Sequence, residues 1–285
     1  MKNISNEVVS VGSAAMDSVI LLPDFPSPDQ ISVAHWCRQF CGGSSANVAV
    51  GLSRLGVYTG LMSKVGTDQE GVELLHRLGS EGVDIRAVKI SGKTARTLIL
   101  LTERGEKTII ADTECVLKSE EELSEKYILE AKYVYIGDCF LPVAEKAVRI
   151  AGNFTLTSVL RVRNMHLPFD LDLKKVISQA DFVIMNEKTY SHINGTYDNF
   201  IVTRGKKGCR YVKDDISIEG ITVNPIDTTG AGDAFCAGFI SQILNRRPIE
   251  EALYFANAAG ALSTTKYGAM DSMPSQTEVE SLLNR

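Results

Sequence analysis

No apolar run in this 285-residue chain is long enough to cross a membrane; the longest, at 19–22 and 98–101, are strand-sized. Nor does the N-terminus offer a signal-peptide core, because Asn and Glu interrupt it, so a soluble cytoplasmic chain is expected. Charge of one sign is missing too. Thirty Lys and Arg face 35 Asp and Glu, a net of −5 with no basic stripe, which excludes nucleic acid and membrane surfaces as partners. Six cysteines form no Cys-x-x-Cys pair and read as free thiols. Four scattered histidines show no metal-ligand spacing. Repeats and low-complexity linkers are absent. What remains is a hydrophobic content of 44%, enough for the core of one large α/β domain spanning 1–285.

Short β-rich runs alternate with helical ones. Strands are expected at 7–11, 58–62, 133–136, 154–160, 182–185 and 200–203. Helices are expected at 44–55, ended by Gly56, at 68–78, ended by Gly79, and at 142–151. Ser119 and Glu122 form a capping-box pattern that predicts a helix to about 130. This alternation argues a mostly parallel sheet with helices on both faces. Two β segments, near 19–40 and 96–110, break the rhythm. They either pair as a small lid outside the main layer or form its edge strands.

Three places carry chemistry. Asp227-Thr228-Thr229-Gly230-Ala231-Gly232-Asp233 precedes a helical run to 244. Small residues before a helix leave its first N–H groups open, and the helix dipole favours a phosphoryl group there. Asp233, in the first turn, is placed to take a hydroxyl proton beside that group; alternatively it is an ordinary cap. Cys41-Gly42-Gly43-Ser44-Ser45-Ala46-Asn47 opens the first helix. Its glycines offer backbone N–H groups, and Asn47 offers a donor and an acceptor to a diol, against a plain turn with an N-cap. Asp17, after the first strand, is either a two-hydroxyl acceptor or a turn residue.

These residues resemble the ribokinase family of sugar and nucleoside kinases, the phosphofructokinase-B group. The early signature is Gly42 to Asn47, followed by Gly56 and Lys64-Val65-Gly66-Thr67-Asp68; the late one is Asp227 to Asp233. Their order and separation extend the resemblance over the whole chain. It implies a doubly wound sheet with a small β-lid, and transfer of the ATP γ-phosphoryl group to a hydroxyl. Asp233 looks like the catalytic base, and Gly230, Ala231, Gly232 and Asp233 like the anion hole. Asp17, Gly42, Gly43 and Asn47 look like acceptor contacts. Asn186, Thr203, Gly205 and Gly208 resemble the phosphate and nucleotide loops, with Asn257 and Ala258 near adenine. Mg²⁺ is implied as cofactor. Asp227, Thr229, Gly268 and Ser272 match the place of a K⁺-type cation.

Two runs depart from the family pattern. In Asn186-Glu187-Lys188-Thr189, Thr189 stands where Glu is expected. In Ser158-Val159-Leu160-Arg161-Val162-Arg163, neither the Asp nor the Asn of Asp-x-Asn-x-Arg is present, and Arg161 or Arg163 either reaches a phosphate or stands as a solvated cation. These departures keep a non-catalytic sugar or nucleotide sensor in play. An NAD-dependent oxidoreductase is disfavoured, since Val11-Gly12-Ser13-Ala14-Ala15 is not Gly-x-Gly-x-x-Gly. The acceptor stays open among pentose, hexose, keto-deoxy sugar acid and nucleoside. His35, Trp36 and Phe40 either stack on a nucleobase or pack the lid. Apolar lid residues Ile31, Val33, Trp36, Leu98 and Leu100 predict a homodimer joined through the lids.

Overall fold

The computed structural model describes residues 5–163, 170–193, 195 and 197–284. Fourteen strands are described: β1 (Val8–Val11), β2 (Ala15–Leu22), β3 (Trp36–Gly42), β4 (Thr59–Met62), β5 (Lys64–Val65), β6 (Lys89–Ile90), β7 (Ala95–Thr102), β8 (Lys107–Ala111), β9 (Tyr133–Ile136), β10 (Thr157–Arg161), β11 (Phe182–Asn186), β12 (Phe200–Thr203), β13 (Cys209–Tyr211) and β14 (Ile216–Ile218). The described helices are α1 (Ser44–Arg54), α2 (Gln69–Ser80), α3 (Glu125–Ile128), α4 (Leu141–Asn153), α5 (Asp170–Gln179), α6 (Glu187–Tyr190), α7 (Ala231–Leu244), α8 (Ile249–Ser263) and α9 (Gln276–Leu283).

Eight strands make the main sheet, in the order β14-β13-β12-β11-β10-β9-β1-β4. The six from β12 to β4 are parallel, and β13 and β14 add an antiparallel edge. The parallel strands are short runs of Val, Ile and Leu because both their faces are covered. Alternation sorts them. Val9, Val11, Val134, Ile136, Val183 and Phe200 pack under α3, α4 and α5. Val8, Tyr135, Val159, Ile184 and Ile201 face α1, α7 and α8. Helix α7 is hydrophobic all round because it is buried on nearly every side. It approaches α8 closely: a Cβ on Gly238 would lie 2.9 Å from Ala256 Cα.

The two irregular β segments pair with each other outside the main layer. They form a four-stranded lid, β3-β2-β7-β8, in which β2 and β7 are parallel and the other pairs antiparallel. The lid begins earlier than the sequence pattern suggests, at Ala15 rather than residue 19. Asp17 therefore lies within a lid strand and not in a turn. Gly12, at φ 144, gives the bend that carries β1 directly into β2.

Three local expectations are corrected. The Ser119–Glu122 capping box exists, but it closes a single 3₁₀ turn, and the chain extends at Leu123 before Ser124 caps α3. Gly79 lies inside α2; Gly82, at φ 78, follows its end. Phe154 caps the end of α4, so β10 starts only at Thr157. No described helix is long and apolar enough to cross a membrane.

Candidate active site

Open α/β sheets bind ligands beyond the carboxyl ends of their strands, where the strand order switches direction. Here the switch lies at β1, with β4 on one side and β9 on the other. The segments leaving β1, β9, β10 and β11 bring Ser13, Asp138, Arg163 and Asn186 to one cavity of about 570 Å³. The lid roofs it with Ala15, Asp17, Thr97 and Lys107, and the start of α7 supplies Thr229, Gly230, Gly232 and Asp233. A second cavity of about 480 Å³ lies beyond Thr228 and Gly232, which line both. Its walls are largely apolar or backbone: Thr203, Gly205, Gly208, Val223, Phe235, Asn257 and Gly260.

Asp233 stands in the first turn of α7, buried. Its Oδ1 accepts from the Ser44 hydroxyl at 2.8 Å and from Arg163 Nη2 at 2.8 Å. Its Oδ2 accepts from Asn47 Nδ2 at 2.9 Å. A carboxylate held on both oxygens keeps one orientation, and Arg163 offsets the cost of burying its charge. Arg163 also donates to Ser44 Oγ at 3.0 Å, and its Nε lies 3.1 Å from Asp138 Oδ1, close as an ion pair but out of line for a hydrogen bond. Asn47 Oδ1 is buried and accepts no hydrogen bond from the described residues, which suits it to a ligand hydroxyl.

Helix α7 opens at Gly230, at φ 83, a conformation that favours glycine. The Asp233 and Ala234 N–H groups bond back to the Gly230 carbonyl, whereas the Gly232 N–H has no carbonyl partner. Arg161 lies across this turn. It donates to the Gly232 carbonyl and, at 3.0 Å, to Cys236 Sγ. A Cβ on Gly232 would collide with its guanidinium at 2.0 Å. The solvated alternative for Arg161 and Arg163 is therefore wrong. β10 runs through the middle of the sheet, so its carboxyl end delivers both arginines to the site rather than to water.

Asp17 is buried, and burial pushes its carboxyl up to about 7, against the Thr97 hydrogen bond and with help from the charge of Asp233. Gly42 makes room for it: a Cβ there would sit 2.0 Å from Asp17 Oδ2. Gly43, at φ 92, passes so near Ala14 that a Cβ would lie 2.6 Å from its Cα. Both glycines therefore serve close approach of backbone and side chain.

The remaining candidates divide. Thr203, Gly205, Gly208 and Asn257 line the second cavity, while Ala258 is fully buried behind it and lines neither. Asn186 lines the first cavity and caps α6 by accepting from the Thr189 N–H at 2.7 Å; Thr189 itself is buried. Asp227, Thr229, Gly268 and Ser272 do cluster. Asp227 accepts from the Thr229 N–H at 2.8 Å, its hydroxyl at 2.6 Å and the Gly268 N–H at 3.2 Å, and the Ser272 hydroxyl donates to the Ala269 carbonyl at 3.0 Å. Trp36 packs edge-on against Tyr267 at 5.2 Å, Phe40 packs on Gly268 and His35 pairs with Glu103 at 3.0 Å. None of the three lines the first cavity, and Trp36 and Phe40 pack against the lid cluster of Val19, Ile99 and Leu101. Sequence reasoning missed Ser44 and Asp138 as site residues, although Ser44 lies inside the early glycine motif.

Known proteins show the same organisation. Residues 5–276 match the pfkB family carbohydrate kinase. The chain belongs to this family. It is 32% identical to the ATP-dependent ribose-1-phosphate kinase of Halopiger xanaduensis, over 97% of this chain and 98% of that one. It is 28% identical to the ribokinase of Bacillus subtilis, over 96% and 98%. The Arabidopsis thaliana ribokinase solved with ribose and ATP superposes with a TM-score of 0.83 at 22% identity, covering 99% of this chain and all of that one, which establishes the shared fold. As a member of the family, this carbohydrate kinase is an ATP-dependent phosphotransferase whose acceptor is an alcohol group of a sugar.

Proposed function

We propose that Asp233 is the general base of this kinase and that the two cavities divide its substrates, the acceptor in the first and the nucleotide in the second. One observation carries the reading: Asp233 heads α7 beside the turn that both cavities share, with its carboxylate fixed by Ser44, Asn47 and Arg163. Phosphoryl transfer asks for position and charge neutralisation above all. Asp233 takes the acceptor hydroxyl proton as the oxygen attacks. Gly230, Ala231 and Gly232 receive the developing charge with the dipole of α7 behind them. Asp17 and Asn47 hold the acceptor hydroxyls, with Gly42 and Gly43 shaping that wall. Thr203, Gly205, Gly208 and Asn257 surround the nucleotide.

The described residues include no cluster of three or more His, Cys, Asp or Glu side chains able to hold a metal by themselves. That fits Mg²⁺ arriving on nucleotide phosphates, with Asn186 and Glu187 nearest to hand, because this ion keeps its waters and takes few protein ligands. When bound it neutralises phosphate oxygens. Asp227 is buried without an ion pair among the described residues, which suits a monovalent cation held through neighbouring carbonyl and hydroxyl oxygens, Thr229, Gly268 and Ser272 among them. The lid exposes Ile31, Val33 and Ile110. Ile31 and Val33 lie on the loop between β2 and β3 and Ile110 on β8, and exposed apolar side chains on the lid support a homodimer joined lid to lid, in the cytoplasm. A strictly monomeric mass at micromolar concentration would count against the dimer.

The Halopiger relative is named for ribose 1-phosphate, and the Arabidopsis ribokinase holds ribose and ATP. A pentose or pentose phosphate therefore heads the acceptor panel, ahead of hexoses, keto-deoxy sugar acids and nucleosides. ADP release measured across that panel tests the reading. At least one acceptor should raise release well above the acceptor-free rate. Tight ATP binding with no stimulated release would instead favour a sensor.

A further inference from the structure

One face of the lid looks into the acceptor cavity, and the two-residue period of its strands decides which side chains do so. They are Ala15 and Asp17 from β2, Ala95, Thr97 and Ile99 from β7, and Lys107, Ile109 and Ala111 from β8. Only two of them are charged. Hydroxyl binding accounts for Asp17. Nothing so far accounts for Lys107.

Lys107 is the first residue of β8, half-buried, and its ammonium has no carboxylate within ion-pair distance among the described residues. The charged groups that face it are Asp227, Arg163 and Asp233, all gathered around the start of α7. The same three groups face Asp17, with Asp233 acting on it most, whereas Asp227 acts most on Lys107. The strand register sets Asp17 in the row of Thr97 and Ala111, and Lys107 in the row of Leu21 and Leu101. Four residues along the strands separate these rows, about 13 Å. So the lid presents a carboxylate and, four residues along its strands, an unpaired ammonium to the same cavity, both facing the start of α7. Burial holds the Lys107 pKa below that of an ordinary lysine, only partly offset by Asp227 and Asp233. A cation taken out of water without a counter-ion is costly, and an arriving anion removes that cost.

We infer that Lys107 is a catalytic cation carried by the lid, contacting the γ-phosphoryl group of ATP as it transfers. The inference rests on the kinase reading of the site above. In the step, the acceptor oxygen forms a bond to the γ-phosphorus while the bond from that phosphorus to the β–γ bridging oxygen breaks. The electron pair leaves with ADP, and the acceptor proton passes to Asp233. Lys107 keeps its proton throughout and neutralises charge on the equatorial oxygens. Because the ammonium rides on the lid, the charge reaches the phosphoryl group only when the lid is in place. This ties exclusion of water to chemistry.

The test uses the full-length protein with Lys107→Met and Lys107→Arg, each checked for an unchanged melting temperature. Binding of ADP and of a non-hydrolysable ATP analogue is measured by calorimetry, without any acceptor. Lys107→Met should weaken the analogue roughly 10-fold and leave ADP within about twofold, and Lys107→Arg should restore most of the loss. With a working acceptor, Lys107→Met should lower kcat roughly 10²-fold while acceptor KM moves less than about threefold. Equal affinities of wild type and Lys107→Met for the analogue would overturn the inference. So would a variant whose only defect is a raised KM for phosphorylated acceptors, which would move Lys107 to an acceptor-anion site. A wild-type protein that binds the analogue but releases no ADP with any acceptor would contradict the proposed function, and the binding comparison would still judge Lys107.

Discussion

The two cavities meet at one turn and are built from opposite materials. The first cavity, proposed for the acceptor, is lined by charged side chains: Asp17, Lys107, Asp112, Asp138, Arg161, Arg163 and Asp233. In the nucleotide cavity Lys206 is the one ionisable side chain; the rest is glycine, threonine, apolar residues and Asn257. The chemistry explains the difference. A sugar offers hydroxyls and must surrender a proton, so its site needs fixed charges. A nucleotide brings its own charge together with a flat apolar base, so its site needs shape and backbone donors. Damage to the first cavity should therefore appear in turnover and acceptor KM, and damage to the second in nucleotide KM alone.

Arg163→Met breaks this division most severely. It leaves the buried Asp233 carboxylate with only Ser44 and Asn47 as donors. Removing one partner of a buried ion pair costs about 3 kcal/mol of stability, so the melting temperature should fall. A base no longer held in one orientation should also lower kcat, by roughly 10²-fold. ATP KM should barely change. An equal rise in both KM values would show that Arg163 serves folding and not the base.

Asp17→Asn should separate stability from function. Losing a buried hydroxyl contact costs about 1–3 kcal/mol, so acceptor KM should rise roughly 5- to 100-fold, with ATP KM steady. Stability should move the other way. Asp17 titrates near 3.8 when unfolded and about 7 when folded. Between those values the native state holds the extra proton, so the group's contribution is full below about 4 and is lost as pH rises towards 7. The variant should therefore gain melting temperature over wild type at pH 8 and show little gain at pH 4. For the same reason wild-type acceptor KM should improve as pH rises through about 7, where the carboxylate forms. A variant gain that is the same at both pH values would contradict this account of the buried carboxyl.

Asn257→Ala should have the smallest effect. Asn257 Nδ2 donates to the Glu219 carbonyl at 2.6 Å and so ties α8 to the segment at the rim of the nucleotide cavity. Losing one such bond, worth about 1 kcal/mol, should raise ATP KM roughly fivefold and leave acceptor KM alone. An acceptor KM that rose in step would show that the two cavities are not independent.

The same contrast explains what was legible in the sequence. The turn from Asp227 to Asp233 is a contiguous device whose glycines and helix start are written side by side, so its place at the head of a helix could be read directly. The lid was legible as a break in rhythm, although its start at Ala15 was placed at residue 19, because Gly12 hides a bend that joins two strands. The partners of Asp233 were not legible. Ser44 and Asn47 lie 189 and 186 residues away along the chain, and Arg163 lies 70 away. Only the sheet order brings the ends of β10 and α1 to the head of α7. Arg161 and Arg163 were open to the solvated reading for that reason: a charged pair after a strand looks solvated until the strand is known to be central. Ala258 shows the converse error, since the neighbour of a lining residue on a helix points elsewhere.

Asp233→Asn tests the central claim most directly. Asn keeps the size of the side chain and takes up no proton, but its amide nitrogen must face one of the donors and Arg163 loses a charge partner, so some loss of melting temperature is expected with the fold kept. The measurement is kcat at saturating ATP and acceptor, taken alongside the melting temperature and the affinity for a non-hydrolysable ATP analogue. The account predicts an intact fold, nucleotide affinity equal to or slightly above wild type, and kcat lowered by roughly 10²–10⁴-fold, the loss expected for a general base. Turnover close to wild type in a well-folded Asp233→Asn protein would contradict it and reduce Asp233 to a helix-start residue.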